Sequence, residues 1–516
     1  MLESKYKQLS LYSILYDRIP ENHILKSINN AVDFSFINKL LEGSYCKYYG
    51  RPAKEPELMS RLSIIQYLYT LSDVKVIEET EVNLAFMWFI GINPEDKLPD
   101  PSLLAKFRTQ RLKETSLDDI IKEVVFQCVE KGIIKGTGMS VDCTHTVANT
   151  GKLVPERIIK HLAKKILKNV EKECGTIPEK VNGDIPKYKE IEDHKEAKST
   201  MKNYLEKLIE DVENTIGETT TPKTKIALKN AKEILESPKF IEQKGVRSLA
   251  DTDARVGYKS KTDSFFGYKV EFAMVPEERI ITAVNVHDGA YVDGTEYKEL
   301  YSQTKKCGIN IKEAYGDKAY FRRPILDILE KDTVEVIIPV SESVYRIDES
   351  IFSYNKDSDQ WYCKCGNFTE RKKKRTETNG KEAFSYYFVK ETCKTCQHRE
   401  GCNVGKPIGR ILTIGINTPE FYEYSQRNKT EEFKEKYKKR ASHEWKNGEM
   451  KRFHGMAKAR GYGLKSMQTQ AKLTALAVNL KRIASLISSN FNTICLYMVK
   501  TFIKIVKSEN FVLDVT

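Results

Sequence analysis

The spacing of hydrophobic and polar positions changes twice along the chain and divides it into regions. From residue 1 to about 125 the apolar runs are helical. Ser60 to Tyr69 (SRLSIIQYLY) and Asn83 to Ile90 (NLAFMWFI) are apolar enough to be buried. Asp100-Pro101 supplies an N-cap and an N1 proline for a helix beginning at Ser102. That helix carries Lys106, Arg108 and Arg111, which suit either a DNA-facing surface or an ordinary wetted one.

Near residue 137 the period becomes two. Thr137 to Val147 (TGMSVDCTHTV) is β-prone and alternating, and it sets Asp142 on the face opposite Val141 and Cys143. Phe266 to Val275 and Ile280 to Val286 then read as a hairpin across a Pro-Glu-Glu-Arg turn. A helix from about Asp293 to Cys307 follows, then a strand Ile311 to Asp317 ending in a second acid. A helix Pro324 to Lys331 and a strand Val334 to Val340 complete the set.

A helix returns at Tyr437 to Lys451, opened by Thr430 as N-cap with Glu431 and Glu432 in the first turn. Tyr437, Arg440, Glu444 and Lys451 stand at i, i+3, i+7 and i+14, on one face of a continuous helix. Taken alone, this also fits a solvated charged face with Arg440 and Glu444 as an i,i+4 pair. Gly448 inside the run weakens a helix by about 1 kcal/mol relative to Ala, and marks a bend, a close approach of DNA or fraying. A helix Gln468 to Ile487 follows, its alanines and leucines expected against the sheet.

Two segments interrupt this scheme. Residues 151–245 alternate Lys and Glu at helical spacing around ILKNV, YLEKLIEDV and KEIL, as helical hairpins or a coiled coil do. Residues 341–430 hold Cys363, Cys365, Cys393 and Cys396, with His398 and Cys402 just after, between small strands QWYCKC and SYYFVK. Thiolates at this spacing can close a structural Zn²⁺ site in a zinc-ribbon-like module, Cys402 being able to replace one ligand. Reduced thiols in a metal-free hairpin are the alternative. Between the pairs, Arg371 to Arg375 (RKKKR) reads as a phosphate-contacting arm or a solvated run.

Composition changes the picture only at the margin. A chain of 516 residues, 40% hydrophobic, calls for several packed units. A formal charge of +13 favours a polyanionic partner without specifying one. Eleven cysteines, five of them clustered, point to a reducing compartment and to metal rather than disulfides. Thr493 to Val506 is apolar but is interrupted by Lys500 and Lys504 and is too short to span a membrane, so the chain is expected in the cytoplasm.

The strand and helix order, with Asp142 on the first strand and Asp317 ending the fourth, resembles the ribonuclease H-like fold, an α/β class with a mixed sheet. In that fold the two strands are neighbours, which brings together acids 175 positions apart. The last motif makes the likeness specific. Tyr, two residues, Arg, three residues, Glu, six residues, Lys is the spacing in DDE transposases of bacterial insertion sequences, in the group named for Tyr-Arg-Glu-Lys; Tyr437, Arg440, Glu444 and Lys451 match it throughout. GTGMSVDCTHTVA around Asp142, SLADTDARVGYKSKTDSFFGYK before the hairpin and AYGDKAYFRR around Asp317 resemble the same group. NLAFMWFIGI and PDPSLLAKFR resemble its helical N-terminal domain, and 151–245 and 341–430 are the least typical parts.

The resemblance implies Asp142, Asp317 and Glu444 as catalytic ligands of two Mg²⁺ (or Mn²⁺) ions, with Tyr437, Arg440 and Lys451 on DNA. It implies hydrolysis at the element end followed by attack of the freed 3′-OH on target DNA. It also implies a nucleoid-associated protein that pairs two DNA ends as a homodimer. The expected organisation is a helical DNA-binding domain over 1–125, a core from 126–150, 246–340 and 431–490, helical and cysteine-rich insertions over 151–245 and 341–430, and a tail over 491–516. Carboxylate chemistry supports the reading on its own, because hard cations need oxygen ligands and two of them about 4 Å apart suit phosphodiester displacement. An inactive DNA-binding regulator with the same fold is the alternative, although carboxylates that repel DNA serve it no purpose; a stand-alone nuclease differs only in lacking the joining step. Asp251 and Asp253 form a rival acidic pair expected to be structural, as is His287 in its turn. Trp445 is expected to face the core, the other reading being an aromatic that stacks a DNA base.

Overall fold

The structure is a computed structural model describing residues 10–46, 52–112, 116–217, 221–236, 246–260, 262–376, 380–402 and 409–508. Its centre is a six-stranded mixed sheet of β1 (Gly138–Val147), β2 (Arg255–Tyr258), β3 (Ser264–Val275), β4 (Ile280–Asp288), β5 (Glu313–Tyr315) and β6 (Glu335–Ile337). The hairpin β3–β4 forms where the two apolar runs are separated by Pro276 to Arg279, with Arg279 in the left-handed region at φ 59°. β1 lies antiparallel to β3 and parallel to β5, and β5 is parallel to β6.

β1 and β5 are neighbours, as the fold resemblance implied; β3 and β4 run slightly longer than expected, and β5 and β6 are shorter. β5 stops at Tyr315 and β6 at Ile337, because the chain leaves the sheet at Gly316 and again before Pro339. β2 was not expected: four residues give too short an alternation to read.

One hydrophobic core joins the N-terminal helices, the sheet and the last helix. Leu62, Ile65, Phe89, Val124, Val141, Phe272, Val284, Leu326 and Leu476 all belong to it. The last helix, Leu464–Ser508, is longer than the expected Gln468 to Ile487. Its buried Asn479 donates to Ile281 O (2.7 Å) and accepts from Ile281 N (2.8 Å) on β4. Two such bonds, each worth about 0.5–1.5 kcal/mol net, fix the helix in register on the sheet. Among the described residues, no helix is long and apolar enough to cross a membrane.

The two interrupting segments each have their own core. Helices Pro155–Cys174, His194–Ile216 and Pro222–Glu236 pack through Ile159, Ile166, Leu205, Leu208 and Leu228. In the cysteine-rich segment, β7 (Phe352–Asn355) pairs with β8 (Gln360–Cys363). A separate three-stranded sheet runs β11 (Ile411–Gly415), β10 (Glu382–Phe388), β9 (Thr369–Thr376). Trp361, Tyr386, Phe388 and Leu412 form the core between these sheets.

Candidate active site

The first acid is placed by strand pairing. Asp142 lies opposite Phe272 of β3, and Ser140 lies opposite Tyr315 of β5. Two residues further along each of these parallel chains stand Asp142 and Asp317, so the register carries both acids to the same level of the sheet. Gly316 makes the exit turn close, since a Cβ there would meet Tyr320 Cβ at 3.0 Å. Asp317 caps the short 3₁₀ turn Lys318–Tyr320 by accepting from Ala319 N at 2.8 Å. One of its oxygens is thus committed to the backbone.

The third acid arrives on a helix that is not continuous. Thr430 caps Glu431–Tyr437 as expected, accepting from Phe433 N, which stabilises a helix start by about 1 kcal/mol. A 3₁₀ turn, Lys438–Arg440, then separates it from the helix Ala441–Phe453. The tightened turn coincides with cross-links to the sheet: Lys436 holds Glu335 of β6 at 2.9 Å, and Lys439 holds Glu313 of β5 at 3.0 Å and Glu277 of the β3–β4 turn at 3.2 Å. The single helical face expected for Tyr437 to Lys451 is therefore corrected. The four residues still gather on one side, over β1.

Arg440 Nη2 lies 3.5 Å from Asp142 Oδ1, and Asn447 Nδ2 donates to Asp142 Oδ2 at 3.4 Å. Burial, opposed by Arg440 and reinforced by Asp317 and then Glu444, pushes the Asp142 carboxyl up to about 6. Both other acids therefore lie within electrostatic reach of Asp142. Glu444 is exposed and makes no ion pair among the described residues. Tyr437 stacks on Phe433 and is half-buried; burial raises its hydroxyl pKa, with Arg440 opposing and Asp317 and Asp142 adding. Lys451 Nζ lies 3.4 Å from His145 Nδ1. Burial first, then Lys451 and Lys259, draw His145 down to about 4, so at neutral pH it is an uncharged acceptor for that ammonium.

Whether this donor set fits a hard cation can be judged from its atoms. Asp317 and Glu444 lie within electrostatic reach of the buried Asp142, and Arg440 Nε and Asn447 Oδ1 are buried without a hydrogen-bond partner. Orphaned polar atoms beside a buried acid mark a place built for an additional charged group. Among the described residues, no group of three or more His, Cys, Asp or Glu side chains is placed so as to hold a metal ion. Arg440 is the cation nearest Asp142 in this arrangement. Carboxylate oxygens are the donors that a hard cation takes.

The thiol site is assembled differently. Cys363, Cys365, Cys393, Cys396, His398 and Cys402 line one cavity of about 320 Å³. Hydrogen bonding with Cys396, then burial and Cys363, pushes the Cys365 thiol up to about 11. Asn367 Nδ2 donates to Cys393 Sγ at 3.1 Å. The donors are of the kind zinc takes, although here too no metal cluster is closed among the described residues.

Other expected residues resolve into structure. Asp251 accepts from Tyr268 Oη and from Gly463 N (3.2 Å), and Asp253 accepts from Leu464 N (2.9 Å), so the pair ties the start of the last helix to the sheet. His287 stacks on Tyr291 with centroids 3.6 Å apart. Arg108 pairs with Asp73 (2.6 Å) and Arg111 donates to Ser44 O, which leaves only Lys106 of that trio free of such ties among the described residues. Gly448 sits within an unbroken helix, and a Cβ there meets nothing within 4 Å. The core-facing expectation for Trp445 fails: it is 68% exposed, with Arg279 over its ring at 5.3 Å. Its neighbours His443, Lys446 and Met450 take the buried face of that helix instead.

Three residues escaped the sequence reading, His145 beside Lys451 being one of them. Asn447 at the Asp142 carboxylate had no signal beyond its place in the motif. Glu271 had one, an acid inside the apolar run FGYKVEFAMV. It is fully buried on β3 opposite Cys143, accepting from Gly294 N (2.7 Å), Tyr320 Oη (2.8 Å) and Tyr291 Oη (3.0 Å). Burial raises its pKa against those bonds. Through Tyr320 it anchors the turn that carries Asp317.

Comparison with known proteins agrees with this geometry at the level of class. Residues 13–110 match a family model described as a transposase domain (DUF772), and residues 362–484 match one described as a transposase DDE domain. Together they support a DDE-type transposase. The second match begins in the cysteine-rich segment and runs through Lys451; Asp142 and Asp317 lie outside both. No curated protein matches the chain. Among solved structures, a piggyBac transposase synaptic complex with hairpin DNA is 10% identical over 92% of this chain and 76% of that one, at a TM-score of 0.26, too low to carry an argument.

Proposed function

We propose that the protein is a transposase of the Tyr-Arg-Glu-Lys group that cleaves DNA at insertion-sequence ends and joins the freed 3′-OH to target DNA. The observation that carries the reading is the buried Asp142 carboxylate with Arg440 3.5 Å away and with Asp317 and Glu444 within electrostatic reach. Asp142, Asp317 and Glu444 would hold two Mg²⁺ or Mn²⁺ ions, which when bound supply Lewis-acid activation of the attacking oxygen and charge stabilisation at the leaving one. The order of the six strands supports a ribonuclease H-like core.

Each remaining residue has a role set by its chemistry. Arg440, with its Nε unpartnered, turns its fork to a DNA phosphate once the carboxylate is otherwise neutralised. Lys451 is a point charge for a second phosphate, and neutral His145 orients it. Tyr437 donates its hydroxyl to a backbone oxygen. The N-terminal helical domain would grip the element end, and a homodimer would pair two ends. Cys363, Cys365, Cys393 and Cys396 would hold a structural Zn²⁺, with Cys402 as a substitute ligand. The working location is the cytoplasm, at the nucleoid.

The test is a cleavage and joining assay in Mg²⁺ on DNA carrying the ends that flank the coding region. Wild-type protein should give 3′-OH ends covalently joined to a target plasmid. Hydrolysis without joining would make it a nuclease, and binding without cleavage would make it a regulator.

A further inference from the structure

The β9–β10–β11 sheet has one face on a core; on its other face the β9 and β11 residues are exposed, while Ala383 and Ser385 of β10 are buried between them. Phe384, Tyr386, Leu412 and Ile414 belong to the core side. On the other side the register forms three rows: Arg371, Tyr387, Ile411; Lys373, Ser385, Thr413; Arg375, Ala383, Gly415. β9 pairs only with β10, so it is the edge, and its five consecutive cations divide between the faces.

The division is asymmetric. On the core side Lys372 is paired with Asp359 (2.7 Å) and Lys374 with Glu382 (2.6 Å). On the open side Arg371, Lys373 and Arg375 are exposed and form no ion pair among the described residues. The three rows contain no acid, and Glu370 falls at the register shift outside them. The Arg371 guanidinium is held 4.1 Å over the Tyr387 ring, and the Ser385 and Thr413 hydroxyls lie 3.3 Å apart in the middle row. Lysines on an edge strand commonly serve to block strand addition. That purpose does not require clearing the adjoining face of acids or lowering it with Ala383 and Gly415.

We infer that this open face binds the sugar–phosphate backbone of duplex DNA, with Arg371, Lys373 and Arg375 as phosphate contacts. Alternate residues on a strand repeat every 6.4–6.8 Å or so, which gives a row of cations able to follow one phosphate strand. Thr413, exposed on β11, adds a hydroxyl donor beside them. Phosphate contacts of this kind position DNA without reading its sequence. The inference rests on the DNA reading above and adds a site that is remote in sequence from the three acids.

The experiment is full-length protein binding a random-sequence duplex, followed by fluorescence anisotropy from 50 to 200 mM salt. Each phosphate contact contributes about 0.9 to the slope of log K against log salt, so R371Q/K373Q/R375Q should flatten the slope by about 2.7. Over that fourfold salt range the variant's loss of affinity should be roughly 40-fold smaller than wild type's. K372Q/K374Q, on the neutralised face, should keep the wild-type slope, and matching thermal melts check that each variant is folded. An unchanged slope in the triple variant would overturn this inference alone; a wild-type protein that binds no duplex at any salt would overturn it together with the DNA reading.

Discussion

The carboxylate site and the thiol site are both collections of metal-type ligands, yet they are built in opposite ways. Asp142, Asp317 and Glu444 are far apart in sequence, and the latter two come within electrostatic reach of Asp142 because β1 and β5 are parallel neighbours and the Ala441–Phe453 helix packs on β1. Cys363, Cys365, Cys393 and Cys396 are close in sequence and meet around a cavity in a small two-sheet module. The first site rests on the main hydrophobic core, which sets its residues whether or not an ion is bound. The second has a core of about six buried side chains beneath it and little else to hold its loops. Metal should therefore be a matter of chemistry at one site and of folding at the other.

The largest effect that separates them is on catalysis. Asp142→Asn, Asp317→Asn or Glu444→Gln should each lower cleavage and joining by at least about 10²–10³-fold, the scale of losing one preorganised charge-stabilising group. DNA affinity measured by anisotropy should stay near wild type. Full turnover by any one variant would remove that residue from the site.

At the thiol site the effect should be structural. Chelation, or Cys393→Ser with Cys396→Ser, should expose the cysteine-rich segment to hydrogen exchange and proteolysis while the β1–β6 sheet keeps its protection. A metal-free protein with unchanged exchange there would dissolve the contrast.

Stability against pH sharpens it from the carboxylate side. Asp142 is raised from an ordinary carboxylate pKa to about 6 by burial, so the native state holds a proton that the unfolded chain has lost. Stability contributed by the protonated form is complete below the unfolded pKa and falls as pH rises towards 6, by on the order of 3 kcal/mol. Asp142→Asn should then be more stable than wild type at pH 8 and no more stable at pH 3.5, read by chemical denaturation. Mg²⁺ should narrow the pH 8 difference.

The smallest expected effect is at Gly448, where added bulk meets nothing in the protein. Gly448→Ala should raise stability by about 1 kcal/mol, seen as a higher melting temperature. Weaker DNA binding by the same variant would mean that DNA packs against that helix at Gly448.

Much of this was legible before any coordinates. The hairpin β3–β4 follows from its alternating apolar runs, and the pairing of β1 with β5 is the one that the fold resemblance implied. What stayed hidden was set by tertiary contacts. Lys438-Lys439-Arg440 has ordinary helical propensity, and only cross-links to Glu313, Glu277 and Glu335 accompany the tightening of that turn. Trp445 looks like a core residue by type, but its position on the helix points it away from the buried side, which His443, Lys446 and Met450 occupy. Glu271 is buried because Gly294, Tyr291 and Tyr320 converge on it from the chain after β4, and no local pattern carries that.

The most direct test of the central claim, that three distant acids share one cation site, does not depend on knowing the DNA ends. Fe²⁺ replacing Mg²⁺, with ascorbate and peroxide, should cut the polypeptide near residues 142, 317 and 444 together, and excess Mg²⁺ should suppress all three cuts. Asp142→Asn should abolish the whole set. Cuts confined to one acid, or a pattern indifferent to Asp142→Asn, would contradict the account.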